Sequence, residues 1–414
     1  MPAYIIWIPF TLLFFIIIGS YFRSMLRIIS GFSAKLTNGA LFISQRPIAN
    51  IRGQELSFFP VNLVKIQTDG QNKSVSGSFF KVSRSVQFTP ETGGKFISSP
   101  VAHSLPPLPS PHKNKETKAE DFAVLAFKQG ELIFEKYAIG IDSNTRLPGW
   151  SVTKSVMNAL VGIASKRFGF DIHKPVRPSE WLKDERKNIT WAHLLEMSDG
   201  LKWREKYDRV SEVSRMLYLK NDMASYALRQ KSSRKAGSYW NYSSGSSNIL
   251  SYLLKRFFAN ENEYLRFPYE HFSSQLEMDS FFFETDNSGT FVGSSYAWAT
   301  PRDWAKFGLM YANGGVYNDK RILDSSWVDY TRKPTPACAT GEYGAHFWLN
   351  ASVNGKQSLP GVPEDLLYCK GFQGQRIYII NSMDLVLLRF GISRKNNFSD
   401  SEFLSKYLNK LKHS

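Results

Sequence analysis

The chain has 414 residues, 43% of them hydrophobic and 14% aromatic, with a formal charge of +16. That content builds a large core, fits more than one structural unit and argues against disorder. So basic a chain suits nucleic acid, an anionic membrane or plain solubility. No Lys/Arg run interleaved with aromatics and no RRM, KH or zinc-finger spacing occurs, so nucleic acid is not indicated as a partner. No Walker loop, G-x-G-x-x-G or metal-ligating histidine spacing is present, so neither a nucleotide cofactor nor a metal is expected. The two cysteines, Cys338 and Cys369, are either free buried thiols or one disulfide.

In chain order, Tyr4–Phe22 is almost wholly apolar, and no charged side chain precedes Arg23. It is long enough to cross a bilayer. It lacks a basic n-region and a clear A-x-A site, which favours an uncleaved anchor in membrane lipid over a signal peptide. Arg23, Arg27 and Lys35 follow, and the positive-inside rule taken alone would place the rest of the chain in the cytoplasm. Leu63–Gln67 and Ser78–Val82 read as strands with a turn at Asp69-Gly70 between them. Residues 98–118 hold five prolines and then a charged run, which reads as a linker or an extended arm. The expected layout is an anchor over 1–22, an N-terminal extension and linker over 23–118, and a main domain over 119–414.

The main domain opens with strands Phe122–Phe127 and Leu132–Tyr137 joined by Lys128-Gln-Gly-Glu131, a hairpin signal. Val152, Val156, Leu160, Ile163 and Phe168 then mark one apolar helical stripe. Ser151 and Lys154, three residues apart at its start, fall on one face. A serine hydroxyl is a weak nucleophile that needs a base, and a lysine in a dry cleft can lose its proton near neutral pH. The first turn also leaves backbone N–H groups free to face an oxyanion. Tyr242, in Tyr242-Ser-Ser244 before a helix expected over Ile249–Phe258, is a phenol whose pKa a nearby lysine would lower and which can relay a proton. Lys370-Gly-Phe-Gln-Gly-Gln375 precedes the hairpin Arg376–Ile380/Leu385–Phe390, where an edge strand can offer an N–H to an oxyanion. Ser198-Asp-Gly200 reads as a structural helix end with Gly200 as the C′ residue. A last helix starts near Asp400. Strands at both ends with helices between predict an α+β fold, one antiparallel sheet flanked by helices with a helical subdomain inserted.

These segments occur together with Leu194-Leu-Glu-Met-Ser-Asp-Gly-Leu201, Ala299-Thr-Pro-Arg-Asp-Trp-Ala-Lys-Phe-Gly308, Asn313-Gly-Gly315 and Tyr343-Gly344. In that order, residues 119–414 resemble the penicillin-recognising serine hydrolases of the β-lactamase/transpeptidase-like fold. The likeness is greatest to the class C β-lactamase-related branch that includes esterases and 6-aminohexanoate-dimer hydrolases. The resemblance implies that Ser151 forms an acyl-enzyme, Lys154 is its base and Tyr242 protonates the leaving group. It also implies an oxyanion hole made by the Ser151 and Gln375 backbone N–H groups.

The chain departs from the family pattern at two places. Ser244 stands where Y-x-N has asparagine. In the third motif, Phe372-Gln-Gly374 stands for K-T-G or H-x-G, so the cation that holds a β-lactam carboxylate is an aromatic ring. With Ser244, Phe372 and Gly374 at the substrate, a small amide or ester is expected, with no cofactor. The alternatives are a non-turnover penicillin-binding or peptidoglycan-sensing protein and a DD-peptidase. The extension weakly resembles that of membrane-attached members acting outside the inner membrane, so a periplasmic domain is expected against the positive-inside reading.

Overall fold

The computed structural model describes residues 4–98, 120–393 and 398–412. The proline-rich stretch at 98–118 lies, beyond its first residue, outside the described residues. The N-terminal helix does not end with the apolar run at Phe22. Helix α1 (Tyr4–Phe42) continues unbroken for 39 residues, and its surroundings change partway along. Phe14, Phe15, Ile16, Ile17, Ile18, Tyr21 and Phe22 are exposed, whereas Leu26, Ile28, Ala34, Leu36 and Ala40 are buried. Within Phe14–Phe42 the helix is long and apolar enough to be a membrane anchor or a signal sequence.

An antiparallel meander packs on the buried half of α1: β1 (Lys65–Asp69), β2 (Ser74–Phe79), β3 (Val82–Thr89) and β4 (Gly93–Ile97), paired in that order. Gly77 lets β2 approach the Ser30 carbonyl, where a Cβ would collide. The turn after Asp69 is present, but Ser78–Val82 is not one strand. It spans the end of β2, a tight turn in which Phe80 adopts φ 51°, and the start of β3. Tight hairpin turns want Gly, Asn or Asp at such positions, so phenylalanine concealed this one.

The main sheet has six antiparallel strands. In chain order they are β5 (Glu120–Lys128), β6 (Glu131–Tyr137), β7 (Trp348–Leu349), β8 (Leu367–Gly371), β9 (Gln375–Ile380) and β10 (Leu385–Ile392). Their spatial order is β7-β8-β9-β10-β5-β6. Both hairpins expected from the sequence form, the first through Gln129 and Gly130 at positive φ. Strand β10 is buried on both faces, because helices cover the sheet on each side. One face meets α2 (Val152–Phe168) and the helix Pro301–Ala312, and the other meets Phe403, Leu404, Tyr407 and Leu408 of the last helix, Asp400–Lys412. Residues Ile28, Ala34, Leu36 and Ala40 of α1 belong to the same continuous core as Val152, Val156 and Leu160 of α2.

Two local expectations change. Helix α3 spans Ser244–Lys255 rather than starting at Ile249. Its first turn is buried Ser, Gly and Asn, capped by Ser243 Oγ on the Ser246 N–H at 3.1 Å, and so carries no apolar stripe to read. The helix before Ser198 is only Trp191–Leu195, and Met197, not Gly200, takes the left-handed turn after it, at φ 57°. Gly200 itself has φ 75° and faces the Arg234 carbonyl, where no side chain fits. Both cysteines are free and buried.

Candidate active site

Ser151 occupies the N-cap of α2. The strand Leu147–Pro148, paired with Ala297–Ala299, delivers it, and Trp150 turns the chain at φ 47°. A non-glycine residue there is strained and must be held by its neighbours. Trp150 is buried, stacked on Phe32 of α1 at 6.3 Å and edge-on to Phe372 at 5.5 Å and Tyr296 at 6.3 Å. Ser151 Oγ accepts no capping hydrogen bond from its own helix, which leaves its hydroxyl to the site.

Lys154, one turn on, is 1% exposed. Its Nζ lies 3.0 Å from Ser151 Oγ, 3.0 Å from Ser244 Oγ and 3.2 Å from the Ser294 carbonyl. Burial pushes its pKa from the usual lysine range down to about 8, against the pull of the Glu205 carboxylate. Its backbone is pinned too: the Lys154 carbonyl is 2.9 Å from His346 Nδ1, whose Nε2 is 3.2 Å from Ser247 Oγ. His346 is buried, with its pKa pushed down to about 3 by burial and by Lys154, so it is a neutral brace.

Tyr242 presents its ring face to Lys154, with Nζ 4.8 Å from the centroid, and its hydroxyl interacts with Ser151. Its pKa is raised, not lowered as the sequence suggested, because burial outweighs the pull of Ser151 and Arg376. Tyr242 is therefore a neutral phenol, able to donate a proton. Trp348 and Tyr343 pack on it, at 5.6 and 5.9 Å.

The third motif lies at the same place. Gly371 at the end of β8 abuts the Gly149 carbonyl, where a Cβ would clash. Phe372 packs between Trp150 and, at 5.6 Å, Tyr207. Gly374 has φ 85°, and a Cβ on it would meet the Arg389 guanidinium. The Gln375 side chain turns away, donating to the Phe372 and Gly391 carbonyls at 2.9 and 2.7 Å. Lys370 points to Asp400 at 3.6 Å and covers the Trp348 ring. Thus Ser151, Lys154, Tyr242 and Ser244 converge, with Phe372 as one wall.

Two participants escaped the sequence reading. Glu205 accepts Ser244 Oγ at 2.5 Å, the Ser244 N–H at 3.0 Å, Trp203 Nε1 at 2.6 Å and the Tyr207 hydroxyl at 2.8 Å. It sits in a charged stretch, Arg204-Glu-Lys206, which looks like a solvated loop, and no spacing motif marks it. Arg389 of β10 is fully buried and donates to the Gln373 and Gly374 carbonyls at 2.8 and 3.0 Å, bracing the turn that carries the third motif. An arginine two strands from that turn leaves no local signal. Asp199, by contrast, is structural as expected: it accepts from Ser246 Oγ and from the Leu201 N–H at 2.8 Å, and burial raises its pKa to about 6.

The chain is 22% identical over 320 residues to the 6-aminohexanoate-dimer hydrolase of Paenarthrobacter ureafaciens, covering 70% of this chain and 76% of that one. Its fold resembles that of a Bacillus anthracis protein provisionally assigned as a 6-aminohexanoate-dimer hydrolase (TM-score 0.59, 21% identity, 72% and 78% of the two chains). It also resembles a penicillin-binding protein from Bacillus halodurans (TM-score 0.53, 13% identity, 70% and 96%). Residues 111–400 match the family described as Beta-lactamase. The chain therefore belongs to the beta-lactamase family, as a serine hydrolase of the β-lactamase/transpeptidase-like fold.

Proposed function

We propose that the protein cleaves an amide or ester through a Ser151 acyl-enzyme. The observation that carries this reading is Lys154 Nζ 3.0 Å from Ser151 Oγ in a buried site that draws its pKa to about 8. Neutral Lys154 takes the Ser151 proton as Oγ attacks the carbonyl carbon. The backbone N–H groups of Ser151 and Gln375 receive the oxyanion. Tyr242 passes a proton to the departing amine or alcohol and regains one from Lys154. Water then enters, and the same groups release the acid. Ser244 accepts from Lys154 and donates to Glu205, and so links the lysine to that carboxylate.

The apolar Phe372 favours an amide or ester without a carboxylate at that end over a β-lactam. The test is a fluorophosphonate probe on the full chain. Labelling at Ser151 that disappears in Ser151→Ala supports the reading, and no label on folded protein rejects it. Labelling by a fluorescent penicillin without turnover would favour a penicillin-binding role instead.

We further propose that α1 stays attached as an inner-membrane anchor, with the hydrolase domain on the periplasmic side. The helix runs straight through the region where a cleaved leader would end. Lys35 lies in a buried ion pair with Glu284, so it does not count among the flanking charges that set orientation. Protease digestion of spheroplasts should remove the domain, and protection would reverse the orientation.

A further inference from the structure

Trp150, next to Ser151, packs on the buried part of α1, ten residues from the exposed apolar run. At 1.5 Å per residue, Phe22, the last of the exposed apolar run, is about 15 Å along the helix from Phe32, which stacks on Trp150 beside Ser151. The loop that brings Glu205 and Tyr207 to the site also carries Arg204 and Arg209, both largely exposed. The meander packs beside the start of the buried half of α1, where Leu26 clusters with Val64 and Phe79. Beside them Leu63 (57% exposed) and Phe80 (77% exposed) project into solvent, next to the exposed Lys81.

Exposed apolar tips, interspersed arginine and lysine, and a continuous apolar helix are the features of a surface resting among lipid headgroups. The site wall nearest to it is aromatic, formed by Trp150, Phe372 and Tyr207. We propose that the Ser151 site opens at headgroup level and takes its substrate sideways from the bilayer: the ester or amide of a long-chain acyl amphiphile, with Leu63 and Phe80 seated in the interface. This rests on the hydrolase reading and on α1 spanning the membrane.

The test uses the full chain reconstituted in vesicles of phosphatidylcholine and phosphatidylglycerol, with 4-nitrophenyl hexadecanoate in the bilayer and soluble 4-nitrophenyl butanoate as paired substrates. At fixed total substrate, hexadecanoate hydrolysis is expected to follow its mole fraction in the bilayer. The Leu63→Asp/Phe80→Asp variant is expected to lower that rate roughly tenfold, by weakening interfacial seating, and to leave butanoate turnover unchanged. Butanoate turnover and fluorophosphonate labelling of Ser151, with no dependence on mole fraction or no effect of the variant, would overturn the proposal and leave the hydrolase intact. Removal of the protein from vesicles by alkaline carbonate would also overturn it. Loss of labelling and of both activities would overturn the hydrolase reading with it.

Discussion

Lys35 of α1 and Glu284 of the hydrolase region form an ion pair at 2.7 Å, with side chains 7% and 1% exposed. Glu284 also accepts the Gly94 N–H at 2.7 Å and Trp298 Nε1 at 2.9 Å, and Lys35 donates to the Gly94 carbonyl and faces the Tyr296 ring at 4.7 Å. One pair thus joins the helix, the meander and the strand next to the nucleophile. Removing one partner leaves a buried charge unpaired. Lys35→Met is expected to destabilise the protein by about 3–5 kcal/mol, and Lys35→Met/Glu284→Gln to recover part of that. Denaturant unfolding checks it, and a loss under about 1 kcal/mol would mean that the extension is not coupled to the domain.

If Lys154 is the base as proposed, it sets the pH dependence. Its pKa in the folded protein, about 8, lies below the unfolded lysine value, and in the proposed mechanism the neutral amine is the active form. Hydrolysis should therefore rise with pH through about 8 and level off above it. Lys154→Arg, which keeps the charge and cannot give up its proton, should lose about 10²–10⁴ in kcat. A rate that is flat from pH 6 to 9 would remove Lys154 as the base.

Glu205 raises the pKa of Lys154 through its charge. Glu205→Gln removes that charge while keeping atoms that can bond Ser244, so the rising limb of the rate profile should move to lower pH. An unmoved profile with a lower plateau would assign Glu205 to packing alone.

Arg389 acts through the turn it holds. Arg389→Lys keeps a cation but not the fork that reaches both Gln373 and Gly374. It should lower kcat for an ester more than it raises KM, since an oxyanion hole acts mainly on the transition state. Unchanged kcat in a folded variant would separate this turn from catalysis.

Much of the site was legible because its parts are local. Ser151 and Lys154 are one helical turn apart, so any helix there places them on one face. The Gln129-Gly130 and Asn381–Asp384 hairpins follow from turn residues between short apolar runs. Phe80 and the buried polar start of α3 defeated the same rules, because an aromatic in a tight turn and a first turn of serines carry no periodic signal. Tyr242 does lie beside Lys154, but its acidity was read with the wrong sign, since a neighbouring cation is visible in sequence and burial is not.

By itself the sequence determined the elements and their chemistry: an apolar N-terminal segment, a serine and lysine on one helix, a tyrosine before a further helix, and a glycine turn before the last hairpin. These depend on neighbours within a few residues, where backbone geometry leaves little choice. Only the tertiary structure decided that α1 runs on into the core, that Phe32 buttresses Trp150, and that Glu205 and Arg389 reach the site from distant segments. Those relations rest on burial and on contacts between residues far apart in the chain. Desolvation, ion pairing and the pKa values that follow exist only once the chain has closed around them.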